Sequence, residues 1–496
     1  MKAALISDFL LSKIERPEGR ADTSRTSPLN VQVYRLTREA ILSGVFEPGL
    51  RLPSSRDLAK ELGVSRNTIL YAYEQLFAEG YLETRAGSGT FVADTVPDQI
   101  TPPQSKPSES VSTGHGLSDR GRNLVASPSE SYSKWGAFRT GAPDVAEFPK
   151  KVWMRLQNKV WSRSDPELLT YAPRGGHMPL REEIAHYLQI SRSVNCDADQ
   201  VIITSGTQQS IDLVMKLMGR SGDTVWLEDP AYWGSRSMLS SFDLDVVPVP
   251  IDEQGMQIQA QSDRPPRFIF VTPSHQYPLG TVMSLIRRRE LLQYAARNQA
   301  WIVEDDYDSE FRYGTRPLAS LQGLDEHGSV LYMGTFSKTM FPGLRIGFLV
   351  VPKALAQQFA VGLSELYRGG QVFNQAILTE FMRGGHFGSH IRRMRMLYSE
   401  RLNVLHMAIG KHFGDYASII DGEAGLHLTL GLPNHCNDRA ISEQAKIEGI
   451  MCRPLSAYYA NPDQGRRGLL LGYSCVPTEQ IEPAFDQLAR IIKQHW

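Results

Sequence analysis

Four short stretches carry residue types whose spacing could do chemistry. In Thr335-Phe-Ser-Lys338, followed by Gly343-Leu-Arg345-Ile-Gly347, a lysine ends an apolar run. A lysine held at a strand end loses solvation, which lowers its pKa and frees a neutral amine for Schiff-base formation. Alone it would read as one more solvated lysine, so Lys338 needs company. Ser205-Gly206-Thr207-Gln-Gln places small hydroxyl residues and a glycine where a helix begins, and the free N–H groups of a helix start cradle anions. Glu304-Asp305-Asp-Tyr307 sets carboxylates directly behind a buried run, which is costly unless they are partnered or cap a helix. Glu228-Asp-Pro-Ala-Tyr232 brings an aromatic ring to the same sheet edge, where core packing is the plain alternative. Together these stretches fit one ligand. It has a phosphate for Ser205, Gly206, Thr207, Thr335, Ser337 and Arg345, an aldehyde for Lys338, a protonated ring nitrogen for a carboxylate, and a flat face to stack on. Pyridoxal phosphate has all four parts, and its ring is an electron sink while the nitrogen keeps its proton.

These stretches need strands ending at one edge. Apolar runs at 201–203, 225–227, 268–271, 301–303, 330–333 and 346–350 alternate with helical segments such as 211–218. That order predicts an α/β unit with a mainly parallel sheet, whose ligands sit at the carboxyl ends of the strands.

The first hundred residues follow another pattern. Val33, Leu36, Ala40 and Ile41 share one helix face, and Gly44 ends that helix. Ser54-Ser-Arg56-Asp57 reads as a capped start, with Leu58, Ala59 and Leu62 as the apolar stripe and Gly63 as the stop. Ser65 caps a third helix carrying Ile69, Leu70, Tyr73, Leu76 and Phe77 inward, so Arg66, Asn67 and Thr68 fall in its first turn. Two short helices on a tight glycine turn predict a helix-turn-helix, whose second helix offers its N-terminal residues to base edges. Arginine suits guanine and asparagine suits adenine. The stretches 81–85 and 90–92, around Ala86-Gly87-Ser-Gly89, predict a hairpin wing. This unit balances seven basic against seven acidic residues, which would also suit protein contacts, but Arg51, Arg56, Lys60 and Arg66 cluster on the expected DNA edge.

The chain has 496 residues, 53 Lys+Arg against 54 Asp+Glu, and no apolar run of the roughly 18 residues a spanning helix needs. A soluble, cytoplasmic protein without a membrane partner is expected, and global charge points to no nucleic acid. Cys196, Cys436, Cys452 and Cys475 are scattered, which predicts reduced thiols and neither a disulfide framework nor a metal site. Prolines 97, 102, 103, 107 and 128 mark a linker. The expected organisation is a tail or separately docked helix at 1–28, a DNA-binding unit at 29–93, a linker at 94–134 and an effector unit at 135–496.

Two resemblances sharpen this reading. The text from Pro48-Gly-Leu-Arg-Leu-Pro-Ser-Ser-Arg56 through Leu62-Gly-Val-Ser-Arg-Asn-Thr68 to Gly87-Ser-Gly-Thr-Phe-Val92 resembles the winged helix of GntR-type bacterial regulators. The resemblance implies DNA contacts from Arg56, Ser65 to Thr68 and Gly87. Residues 135–496 resemble fold-type I aminotransferases. That resemblance implies Lys338 as the Schiff-base lysine, Asp305 on the ring nitrogen, Tyr307 near the phenolic oxygen and Tyr232 stacked on the ring. It also implies that Tyr171, in Leu169-Thr-Tyr-Ala-Pro-Arg-Gly-Gly176, reaches the phosphate of a neighbouring subunit, hence a homodimer.

Two departures stand out. Ser274-His-Gln-Tyr277-Pro-Leu-Gly280 puts Tyr277 where those enzymes carry asparagine, and Gly468-Leu-Leu-Leu-Gly-Tyr473 is apolar where they carry a carboxylate-binding arginine. Arg453 and Arg236 are candidate substitutes. The whole chain resembles the MocR subfamily, which implies a regulator of promoter DNA sensing an amino compound or the B6 vitamer. The alternative is a working aminotransferase with an accessory DNA-binding domain.

Overall fold

The computed structural model describes residues 2–14, 27–85, 88–94, 116–126, 136–163, 165–258, 264–313, 319–414, 418–420 and 424–496. The chain divides into two compact units, Met1–His115 and Gly116–Trp496.

The first unit is a winged helix with an added N-terminal helix. Helices α1 (Lys2–Lys13), α2 (Leu29–Leu42), α3 (Ser55–Leu62) and α4 (Arg66–Ala78) accompany strands β1 (Arg51–Leu52), β2 (Leu82–Arg85) and β3 (Gly89–Val92). The strands form an antiparallel sheet in the order β1-β3-β2, with Leu82 opposite Val92 and Arg51 opposite Phe91. Ser54 accepts the backbone N–H of Asp57 at 3.2 Å to start α3, and Ser65 accepts that of Thr68 at 3.2 Å to start α4. Gly63 ends α3 at φ 65°, a left-handed turn glycine adopts without a Cβ penalty. The expected tail at 1–28 is corrected in part. Ile6 and Leu10, one helical turn apart, are buried in the core that holds Val33, Leu58, Ile69 and Leu76. That apolar stripe makes α1 part of this unit.

The second unit has three layers around an eight-stranded sheet. Its strands are β4 (Val201–Thr204), β5 (Thr224–Asp229), β6 (Asp245–Asp252), β7 (Gly255–Met256), β8 (Phe268–Val271), β9 (Trp301–Asp306), β10 (Val330–Thr335) and β11 (Gly347–Val350). Their order is β4-β11-β10-β9-β8-β5-β6-β7. From β10 across to β6 all pairs are parallel, while β11 runs antiparallel to both β4 and β10. Before β4 lie α5 (Asp119–Ala126), α6 (Lys150–Ser162) and α7 (Met178–Arg192). Helix α5 falls inside the span expected to be linker, most of which lies outside the described residues. Helices α8 (Thr207–Met218), α9 (Trp233–Ser240), α10 (Leu285–Asn298), α11 (Leu321–Leu324), α12 (Ala356–Tyr367) and α13 (Val372–Arg383) cover the sheet. The long α14 (His386–Phe413) leads into a second, antiparallel sheet of β12 (Ser418–Ile419), β13 (His427–Gly431), β14 (Arg453–Pro454) and β15 (Gly468–Gly472), closed by α15 (Asp438–Ile447) and α16 (Thr478–Gln494).

Residues 137–147 form a strap fastened to that second sheet. Gly472 N–H donates to Phe138 O at 2.9 Å and Ser474 Oγ donates to Ala142 O at 2.7 Å. Asp144 is buried, accepts Arg401 Nη2 at 2.8 Å, and its backbone N–H donates to Tyr398 Oη at 2.8 Å. No described helix is long and apolar enough to cross a membrane.

Candidate functional site

Strands β9 and β10 are parallel neighbours with Asp305 opposite Met333, so their carboxyl ends deliver Asp305 and Lys338 to one place. A cavity of about 940 Å³ opens there. Its wall includes Gly206, Thr207, Tyr232, Tyr277, Asp305, Tyr307, Thr335, Ser337, Lys338 and Arg345. Ten of the twelve residues expected at the cofactor thus line a single space. Ser205 stands behind that wall, its backbone N–H donating to Gln209 Oε1 at 2.6 Å. Tyr171 is 81 % exposed, away from the cavity.

Enclosure by protein lowers the pKa of Lys338, Asp308 and Asp305 pull it back up, and Arg139 adds to the lowering. Its Nζ donates to Gly141 O at 2.7 Å. Asp305 shows the opposite response. Burial first, then the neighbouring Asp306, raise its pKa to about 7, against the pull of Lys338. Its Oδ1 is buried without a hydrogen-bond partner. Asp306, by contrast, is satisfied, accepting Arg192 Nε at 2.7 Å and Tyr332 Oη at 2.6 Å. Glu304 accepts the N–H groups of Leu321 and Gln322, both at 3.0 Å, so it caps α11. Of three consecutive acids, two have structural partners and Asp305 faces the cavity. An orphaned buried acceptor is the feature a protonated ring nitrogen would satisfy.

The anion cradle is equally open. Gly206 has φ 121° at the start of α8, and a Cβ there would meet only Arg345 Nη1, at 3.9 Å. Gly347 cannot be larger, because its Cβ would sit 2.7 Å from Gly206 Cα. This close approach brings β11, and Arg345 just before it, against the first turn of α8. A phosphate fits these N–H groups, the Thr335 and Ser337 hydroxyls and the Arg345 guanidinium.

Aromatic rings fill the remaining wall. Tyr277 meets Tyr232 edge-on at 5.6 Å, Tyr307 at 5.7 Å and Tyr458 at 5.5 Å. Beneath them lies a network the sequence did not reveal. Tyr307 Oη is 3.0 Å from His275 Nδ1, which is itself 3.1 Å from both oxygens of Asp308. Burial, His275 and Lys338 push His427 down to about 3, so it is neutral. His275, Asp308 and His427 come from three separate segments, and only the His-Gln-Tyr run beside Tyr277 hinted at one of them. The candidate Arg236 is committed elsewhere, donating to Asp229 Oδ1 at 3.1 Å and Tyr458 O at 3.2 Å. Neither Arg236 nor Arg453 is part of the cavity wall, whereas Arg139 is.

In the first unit, Arg56, Ser65, Arg66 and Asn67 are exposed and Thr68 is half-buried. Arg66 Nε lies 3.5 Å from Ser55 Oγ, which brings the starts of α3 and α4 together. Gly87 lies outside the described residues. The capped turn between the two helices leaves the first turn of α4 on the surface, as base recognition requires.

Fold and site define a GntR-type winged helix joined to an aminotransferase-like effector unit. Residues 29–92 match the family model described as bacterial regulatory proteins, gntR family, and residues 137–488 match aminotransferase class I and II. The chain is 39 % identical over 469 residues to the probable rhizopine catabolism regulatory protein MocR of Rhizobium meliloti, covering 94 % of each chain. It is 30 % identical to the pyridoxine biosynthesis transcriptional regulator PdxR of Corynebacterium glutamicum, over 91 % of this chain and 92 % of that one. Among solved structures it is similar to LysN, an α-aminoadipate aminotransferase of Thermus thermophilus crystallised with N-(5'-phosphopyridoxyl)-L-leucine. There the identity is 28 % and the TM-score 0.66, covering 72 % of this chain and 92 % of that one. The chain belongs to the MocR-type family of GntR transcriptional regulators, whose second domain has the fold of pyridoxal phosphate-dependent aminotransferases.

Proposed function

We propose that this regulator holds pyridoxal phosphate on Lys338 and uses the surrounding cavity to sense an amino compound or the vitamer itself, passing the result to promoter DNA. The observation that carries this reading is the pairing of an enclosed lysine, whose pKa is lowered by desolvation, with a buried, unpartnered carboxylate oxygen on the neighbouring strand. When bound, the cofactor supplies a carbonyl carbon for an amine and a ring that withdraws electrons. The chain supplies the rest. Asp305 holds a proton at the ring nitrogen, Thr207, Thr335, Ser337 and Arg345 anchor the phosphate, and Tyr232 and Tyr277 exclude water from the ring. Arg66 and Asn67 read bases, and Arg56 grips the backbone. The protein works as a homodimer, which the exposed Leu169, Tyr171 and Trp161 support as a surface to be covered.

An effector acts by binding one arrangement of the chain more tightly than another. Lys338 holds Gly141 O of the strap, so any reaction at the lysine competes with that hydrogen bond. The test is a footprint on the protein's own upstream region, with and without pyridoxal phosphate and candidate amines. Protection that shifts with either ligand is expected; protection indifferent to both overturns the sensing role. The likeness to enzymes such as LysN favours one second reading, an active aminotransferase with a DNA-binding appendage. Steady turnover of amino donor and keto acceptor, without a footprint, would select it.

A further inference from the structure

One ring nitrogen in the second unit serves two neighbours. His275 Nδ1 lies 3.0 Å from Tyr307 Oη and 3.1 Å from each carboxylate oxygen of Asp308. His275 and Asp308 are buried, while Asp308 and Tyr307 both line the cavity. Backbone clamps the pair in place. A Cβ on Gly425 would overlap His275 Cε1 and lie 2.6 Å from both His275 Nδ1 and Asp308 Oδ2. Gly425 is itself fixed, its N–H donating to Phe311 O and its carbonyl accepting Tyr313 Oη and Tyr473 Oη, each at 2.7 Å.

The hydrogens of this group can be placed by elimination. A carboxylate only accepts, so the nitrogen that faces both Asp308 oxygens carries a hydrogen, whether the ring is neutral or charged. A ring nitrogen that carries a hydrogen has no lone pair left to accept with. Tyr307 Oη therefore accepts at His275, and its own hydrogen points away from that ring. Burial first, then Asp308, hold the Tyr307 hydroxyl well above the usual tyrosine pKa, so the hydrogen stays on the oxygen. The cavity that Tyr307 lines is where a partner for it can enter. Three groups of a bound pyridoxal phosphate already have partners on the reading above, namely the aldehyde, the ring nitrogen and the phosphate. Its phenolic oxygen occupies the ring edge between aldehyde and nitrogen, and it is an acceptor.

We propose that His275 and Asp308 are positioning residues: by keeping a hydrogen on His275 Nδ1 they turn the Tyr307 hydroxyl into the cavity, where it selects a ring that bears an oxygen beside its aldehyde. This rests on the cofactor reading above. Asp308 acts through His275, and His275 through Tyr307, so neither needs to touch the ring. Without the carboxylate, the bare form of Nδ1 would compete for the Tyr307 hydrogen and draw it out of the cavity.

The first measurement needs no cofactor. In full-length protein isotope-labelled at its histidine nitrogens, the His275 Nδ1 resonance is assigned by its loss in His275→Gln. It should be that of a nitrogen bonded to hydrogen, and a bare Nδ1 overturns the proposal. The second titrates the full-length protein with pyridoxal phosphate and with the deoxy analogue that carries hydrogen in place of the phenolic oxygen, both followed by intrinsic fluorescence. Wild type should prefer the natural vitamer, and Asp308→Asn should cut that preference about tenfold, as loss of one hydrogen bond would. The ratio is the reading, because Asp308 also acts on Lys338 and its loss there affects both ligands alike. Tyr307→Phe should show the same drop, and adding Asp308→Asn to it should lower the ratio no further, since both act through one hydroxyl. A further drop in that background overturns the proposal, as does a wild-type ratio in Asp308→Asn. Should Asp308→Asn not fold, the nitrogen resonance alone decides. A protein without Lys338-dependent absorption overturns the cofactor reading instead, and this proposal with it.

Discussion

In the first unit, Arg56, Arg66 and Asn67 stand in water, and the only buried parts of that surface are the apolar faces behind it. In the second unit Lys338, Asp305 and Asp308 face a cavity, and burial shifts the lysine down and Asp305 up. The proposed DNA-reading residues of α3 and α4 fall within thirteen consecutive positions, 56–68, set by two helix caps, and Gly87 of the wing lies outside the described residues. The cavity is assembled from residues as distant as Gly141 and His427. A surface that keeps its side chains solvated stores little energy in them, so its losses on mutation should be small and local. A desolvated site stores energy in every group, so its losses should be large and pH-dependent.

The largest effect tests the desolvated side. Lys338→Ala should abolish the visible absorption of the cofactor complex completely, as read by titration with pyridoxal phosphate; any surviving Schiff-base band breaks the comparison at its centre. Next, Asp144→Ala strips the partner from buried Arg401 and should cost about 3–5 kcal/mol of stability in denaturant melts. Asp305→Asn should weaken cofactor binding at least about tenfold, the factor one lost interaction of 1.4 kcal/mol gives. In the cofactor-free protein, Asp305 has a pKa raised from 3.8 to about 7. The folded state therefore binds the extra proton, and its stability falls as pH rises through that window. Asp305→Asn removes this slope, so the variant should gain about 2–4 kcal/mol over the wild type between pH 4 and pH 8, measured on matched thermal melts.

The solvated side should give less. Asn67→Ala should cost about 1–3 kcal/mol of affinity and relax the preference at one base position, measured by gel shift on a randomised site. Ser65→Ala removes one cap from α4 and should cost about 1 kcal/mol in the first unit alone, leaving the cofactor titration untouched. A large change in cofactor binding from Ser65→Ala would show that the two units are not separable in this way.

The same contrast decides what could be read from the sequence. Ser54, Gly63 and Ser65 act on neighbours three or four residues away, so the winged helix was legible down to its caps. The six apolar runs became six strands, four of them paired in parallel and two paired antiparallel, because strands buried on both faces read as continuous apolar text. Strand β6 was missed because Pro248 and Pro250 argue against a sheet interior. It pairs with β7 only at Ile251 and Asp252, so no strand on that side asks the prolines for a donor. A docked helix within 1–28 was one of the two expectations, but its place on the first unit was not legible, because the burial of Ile6 and Leu10 is set by packing and not by any motif. In the site, Lys338, Asp305 and the α8 start were legible as strand-end motifs. Asp308, His275, His427 and Arg139 were not, because what joins them is packing between strands, the strap and the second sheet.

The hydrogen bond from Lys338 to Gly141 has a chemical cost beyond aiming the amine. An amine of lowered pKa held against a carbonyl has nothing at the nitrogen that distinguishes one carbonyl compound from another. Selectivity for a phosphorylated aldehyde must therefore be enforced several ångströms away, by the first turn of α8 and by Arg345. On the proposed cofactor reading, aldehydes that lack a phosphate would lack that grip and should leave quickly, which puts the burden of discrimination on the cradle and not on the lysine.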